Sequence, residues 1–100
     1  MNIKMLKLVS GEEVLCDITD EGKNSITCKN PCLILPTKEG QLAIVPWMPY
    51  SQIQDGVEID NIQIMFKCDV MKDMVDEYER IFSKLHIATP AETQALKLVT

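Results

Sequence analysis

Residues 8–18 read LVSGEEVLCDI, and the fold turns on this stretch. An apolar pair, Leu8-Val9, runs into Ser10-Gly11-Glu12. A clean alternation then begins, with Val14, Cys16 and Ile18 on one side and Glu13, Leu15 and Asp17 on the other. Successive side chains of a strand point to opposite faces, so a period of two predicts a half-buried strand. Gly11 suits the sharp turn before it. The expectation is two strands joined by a tight turn.

Upstream, Ile3 to Val9 is strand-like. Downstream, Asp20-Glu21-Gly22-Lys23-Asn24 is a polar loop, and Ser25 to Leu35 is a long apolar stretch. In it, Ile26, Cys28, Cys32 and Ile34 share one parity with Asn30, and Pro31 follows. An Asn on an apolar face before a residue without an N–H predicts a bend or bulge. Pro36 to Gly40 is a loop. Gln41 to Val45 is apolar on both faces, which predicts cover on both sides. The prolines of PWMPYS (46–51) should stop regular pairing; Trp47 and Tyr50 are placed either to stack on a base or to pack beneath the C-terminal helix or at a subunit contact, and the apolar surroundings favour packing. After a polar turn at 52–56, Val57 to Phe66 is strand-like. Its apolar parity switches at Asp60-Asn61, a second bulge signal.

At residue 69 the period changes. Val70, Met71, Met74, Val75, Tyr78, Ile81, Phe82 and Leu85 follow helical spacing, with Asp69 as the N-cap. Thr89-Pro90-Ala91-Glu92 has the pattern of a capping box and predicts a short second helix. The chain thus divides into a β unit over 1–68 and a C-terminal helical extension over 69–100.

One hundred residues allow one small domain, and 46% hydrophobic content predicts a folded one. A net charge of −5 disfavours broad phosphate neutralisation. Cys16, Cys28, Cys32 and Cys68 form no C-x-x-C pair. The single His86 lies far from them, so no metal site is expected. Three of the cysteines fall on apolar stretches, as small buried hydrophobes do. No membrane-length apolar run or signal peptide is visible, and a reducing, intracellular setting is expected. No P-loop, G-x-S-x-G or H-E-x-x-H occurs. Glu12 and Glu13 should diverge, and His86 reads as a surface residue near a helix end. No enzyme activity and no cofactor are expected.

Leu8-x-x-Gly11-x-x-Val14-x-Cys16-x-Ile18 resembles the first motif of the Sm-like family. That family carries apolar residues three and seven positions after the Gly. A small residue stands at position five, usually Gly where this chain has Cys16. Asp20-x-x-x-Asn24 matches the family's Asp-x-x-x-Asn, two residues early. The KNP stretch at 29–31 and PWMPYS look like compact Sm-like proteins of marine phages and some bacteria. The resemblance covers residues 3–66, and a helix after the β unit departs from the usual order.

The resemblance implies a small, strongly bent five-stranded antiparallel barrel, in the cytoplasm of a bacterial cell or phage-infected host. It implies a closed homo-oligomeric ring in which the fourth strand of one copy pairs with the fifth of the next. Leu42, Ile44, Val45, Ile62, Ile64 and Phe66 would form that interface. It further implies a single-stranded RNA site, with Asn24 bonding a base edge and Asp20 orienting it. Gly22 occupies the stacking position, and Asp55-Gly56 stands where the family has a basic residue before Gly. Lys23, Lys29 and Asn30 complete the candidate set, and Lys38 is a further loop cation. Gly22 offers no ring, and Asp55 would repel phosphate. Two expectations therefore stand side by side: a ring that binds single-stranded RNA in RNA metabolism or regulation, and a structural or protein-interaction ring that has lost RNA binding. No membrane partner is expected.

Overall fold

The computed structural model describes residues 1–83. Leu85, His86 and the capping box at 89–92 lie outside the described residues. The chain forms strands β1 (Ile3–Leu8), β2 (Glu13–Glu21), β3 (Ser25–Pro36), β4 (Leu42–Pro46) and β5 (Val57–Asp60). A 3-10 turn (Asn61–Gln63), β6 (Ile64–Cys68) and helix α1 (Lys72–Phe82) follow. All pairings are antiparallel, in the order β4-β3-β2-β1-β6, with β5 also on β3.

The opening stretch forms the β1–β2 hairpin. Gly11 has φ 98°, its N–H donates to the Leu8 carbonyl at 2.9 Å, and Leu6 stands opposite Val14. The left-handed φ is why Gly occupies this position. Glu12 and Glu13 do diverge: Glu12 accepts from the Trp47 indole at 3.0 Å, and Glu13 pairs with Lys7.

Two expectations about strands change. The stretch 57–66 is not one bulged strand. A 3-10 turn at Asn61–Gln63 interrupts it and carries the chain from β3 to β1, so β5 lies on β3 and β6 lies on β1. The sheet therefore has six strands instead of five. No ladder joins β4 or β5 to β6 among the described residues, so the sheet is not closed into a barrel. In β3, Cys32 and Ile34 do not share a face with Ile26 and Cys28. Leu15 stands opposite Cys32 and Asp17 opposite Lys29, so β3 carries one extra residue there. Asn30 takes φ 47° at that point. An extra residue turns every later side chain to the other face.

That flip divides the interior in two. Leu6, Leu8, Val14, Cys16, Ile18, Ile26, Cys28 and Ile59 cluster on one face, with Trp47 packed against them. Leu15, Cys32, Ile44, Tyr78 and Phe82 cluster on the other, beneath α1. Cys16, Cys28 and Cys32 are free buried thiols, and Cys68 is exposed. Burial pushes the Cys32 thiol up to about 12.

Helix α1 begins later than expected. Met71 is its N-cap and offers no side-chain hydrogen bond, while Asp69 is ion-paired with Lys4. A neighbouring cation at Lys4 holds the Asp69 carboxyl below its ordinary value. The apolar stripe packs on the sheet through Tyr78 and Phe82, whose ring centroids lie 4.6 Å apart, whereas Met71 is exposed. Strand β4 is partly covered: Ile44 is buried on one face, Ala43 and Val45 are half-buried on the other, and Leu42 at its start is exposed. Of the two aromatics in PWMPYS, Trp47 packs, but against the first cluster and not beneath α1. Tyr50 is 95% exposed, because the loop from 47 to 56 carries it away from the sheet.

Candidate nucleic-acid interface

The β2–β3 hairpin places Gly22, Lys23 and Asn24 at an exposed tip. It is closed by the Gly22 N–H donating to the Ser25 carbonyl at 2.9 Å. Residues 60 and 61 lie against this tip. Asp60 stands opposite Ser25, the Asn61 N–H donates to the Asn24 carbonyl at 2.8 Å, and Asn61 Nδ2 donates to the Lys23 carbonyl at 3.2 Å. The Asn24 side chain makes no hydrogen bond within the described residues, and Asp20 does not contact it in this way. Asn24 and Lys23 are thus displayed on a tip whose backbone is held.

Asp55 and Gly56 do not join them. The Gly56 N–H donates to the Ile53 carbonyl at 3.1 Å, closing a turn just before β5. Val57 then stands opposite Cys28, at the far end of β5 from Ser25 and Asp60. At about 3.3 Å per residue, the two ends of β5 lie about 10 Å apart. Lys29 and Asn30 sit at the Asp55-Gly56 end, where the Asn30 N–H donates to the Gln54 carbonyl at 2.9 Å. The candidate residues therefore fall into two groups: Gly22, Lys23 and Asn24 with Asp60 and Asn61, and Lys29 and Asn30 with Asp55 and Gly56.

Asp60 and Asn61 were not among the candidates read from the sequence. The parity switch at these residues was the available signal, and it marks a 3-10 turn that carries the chain to another strand rather than a bulge. Asn30 serves the backbone: its carbonyl accepts from the Tyr78 hydroxyl at 2.9 Å, and the Lys29 carbonyl accepts from the same group at 3.1 Å. Desolvation of the buried Tyr78 ring pushes its hydroxyl above the ordinary tyrosine value.

Cations divide in a telling way. Lys4, Lys7, Lys67, Lys72 and Arg80 each pair with a carboxylate. Among the described residues, Lys23, Lys29 and Lys38 have no such partner. They stand just before, within and just after β3, so they are strung along one strand rather than gathered in a patch.

The candidate interface residues also separate. Leu42, Ile62 and Phe66 are exposed, and Val45 and Ile64 are partly buried. Ile44 is buried under α1 and Ile64 packs against the first cluster, so neither side chain is free for a partner. Met65 joins Phe66 as an exposed neighbour. Lys7 stands opposite Phe66 and Leu8 opposite Ile64, so Met65 is the extra residue of a bulge. No group of His, Cys, Asp and Glu able to hold a metal occurs among the described residues, and no described helix is long and apolar enough to cross a membrane. The chain matches no protein-family model and no curated protein.

Proposed function

We propose that this chain is a subunit of a closed, Sm-like homo-oligomeric ring that binds single-stranded RNA. The observation that carries the assembly is the pair of unpaired apolar edges. Among the described residues, strand β4 pairs only with β3 and exposes Leu42, while β6 pairs only with β1 and exposes Met65 and Phe66. An open strand edge with apolar flanks is a template for another strand. Two different edges on one chain make a head-to-tail contact, which forms a ring when the rotation closes. Joining β4 of one copy to β6 of the next would pair these two edges, while β5, which lies on the same side of β3 as β4, keeps its outer edge.

RNA binding is supported at the hairpin tip. Asn24 offers an unoccupied amide, which can donate to and accept from a base edge, and Lys23 adds an unpaired cation. Repetition of the tip around a ring would multiply a weak contact. Binding should be weak per copy. Gly22 lacks the ring whose stacking is worth about 1–3 kcal/mol per base, and Asp60 places a carboxylate beside the tip.

That carboxylate favours a second reading, a ring that serves as a protein-interaction or structural module without RNA. Fluorescence anisotropy with short oligo-U and oligo-A at low salt separates the two. The RNA reading expects saturable binding, weakened by Asn24→Ala. No binding at tens of micromolar subunit would leave the second reading.

A further inference from the structure

We infer that the loop from Trp47 to Gln54 is a second contact for single-stranded nucleic acid, in which Tyr50 stacks on a base and Lys29 meets a phosphate. The inference rests on the RNA reading above and supplies the aromatic ring that Gly22 lacks.

The loop has a narrow, fastened neck. The Trp47 N–H donates to the Pro31 carbonyl at 2.8 Å, and the Asn30 N–H donates to the Gln54 carbonyl at 2.9 Å. Gln54 Nε2 donates to the Trp47 carbonyl at 3.4 Å across the neck, and the Trp47 indole donates to Glu12. Both ends thus sit on adjacent residues of β3, and the residues between stand out from the sheet, as in a compact Ω-loop. At its crown the Ser51 N–H and hydroxyl both donate to the Met48 carbonyl, at 3.0 and 2.6 Å. Met48 takes φ 50° in this turn. The left-handed region is unfavourable for a residue with a Cβ, and strain held by a fastened backbone clusters at ligand contacts.

What the turn displays is Tyr50. Among the described residues it is the one aromatic ring left almost wholly to water; Trp47, Tyr78 and Phe82 pack, and Phe66 is half exposed. The charge beside the neck selects the ligand. Lys29 adjoins Asn30 at the neck and is exposed, and among the described residues no carboxylate pairs with it. Asp17 stands opposite Lys29 in β2 but accepts from the Asn2 N–H. Asp55 follows Gln54 on the other side of the neck, so the site suits a single phosphate rather than a run of them. A displayed ring beside a lone cation fits a nucleotide, because any base has a face to stack and the cation meets the backbone. A second copy of this chain would cover the ring and leave Lys29 without a partner.

Fluorescence anisotropy of the full chain at low salt tests this, with oligo-U and an abasic strand of the same length. Tyr50→Ala should weaken oligo-U binding by at least about 5-fold, the lower end for one base–aromatic stack. Tyr50→Phe, which keeps a ring, should bind as the wild type does. The abasic strand keeps the phosphates and offers no base, so Tyr50→Ala should bind it as the wild type does. Lys29→Gln should weaken binding to both strands alike. Light scattering should give Tyr50→Ala the wild-type mass. Wild-type affinity of Tyr50→Ala for oligo-U, or an equal loss on both strands, overturns the inference and leaves the RNA reading to Asn24. A changed mass in Tyr50→Ala also overturns it and assigns the ring to a contact between copies. A wild type that binds neither strand overturns both.

Discussion

On its faces this sheet leaves few apolar groups to water, whereas on its edges it leaves many. One face is filled by Leu6, Val14, Cys16 and their neighbours, and the other by Leu15 and Cys32 beneath Tyr78 and Phe82. The edges differ. Leu42 on β4 is 55% exposed, and on β6 Met65 and Phe66 are 61% and 54% exposed. A 100-residue chain has little core to spare, so apolar residues kept out of it are better explained by a second use. Face residues should hold the single chain together, and edge residues should hold copies together.

The largest effect should come from a face. Leu6 has no exposed surface, so Leu6→Ala removes buried contacts and leaves a cavity. A loss of about 2–5 kcal/mol is expected in a urea unfolding curve. A loss under 1 kcal/mol would mean the first cluster is loosely packed, and the contrast with the edges would weaken.

A smaller effect should follow from alkali. Cys32 is buried under α1 and its thiol is pushed from 9.0 to about 12. The unfolded chain releases that proton near 9, and the folded chain holds it. Stability from this site is therefore fully present below pH 9 and declines as pH rises toward 12. Tyr78, also raised by burial, acts in the same direction. The loss at Cys32 should reach about 2 kcal/mol by pH 10.5. Cys32→Ala should flatten the fall measured by unfolding between pH 8.5 and 10.5; an equally steep fall would remove Cys32 as its cause.

The smallest effect on the single chain should come from an edge. Phe66→Lys places a charge on exposed β6 and should change stability by less than about 0.5 kcal/mol. This is measured at concentrations low enough to keep the chain monomeric. The same substitution should abolish assembly at high concentration, since a charged edge strand resists pairing. A large loss of monomer stability would show that Phe66 belongs to the core, and the distinction between face and edge would fail.

Much of the scaffold was legible in the sequence, and for local reasons. The Gly11 turn and the alternation of Val14, Cys16 and Ile18 need no long-range information, and both stand where they were expected. The interruption at Asn30-Pro31 was legible too. Its consequence, the transfer of Cys32 and Ile34 to the other face, depends on pairing with β2. Asp60-Asn61 gave the same parity signal as a bulge, yet here a 3-10 turn ends one strand and the chain starts another on β1. Parity alone does not separate these outcomes, since the choice depends on which strand the following residues meet. Helical spacing marked Tyr78 as a position on the apolar stripe. Its hydroxyl contacts with β3 lie across 48 and 49 residues of sequence, beyond any local pattern. Of the candidate site, Asn24 was legible through the family resemblance, and Asp60 and Asn61 were not.

The oligomeric mass of the wild-type chain tests the account most directly. Size-exclusion chromatography with light scattering, run from low to tens of micromolar subunit, should converge on one mass, a fixed multiple of the 11.3 kDa chain. A strictly monomeric mass across that range would contradict it.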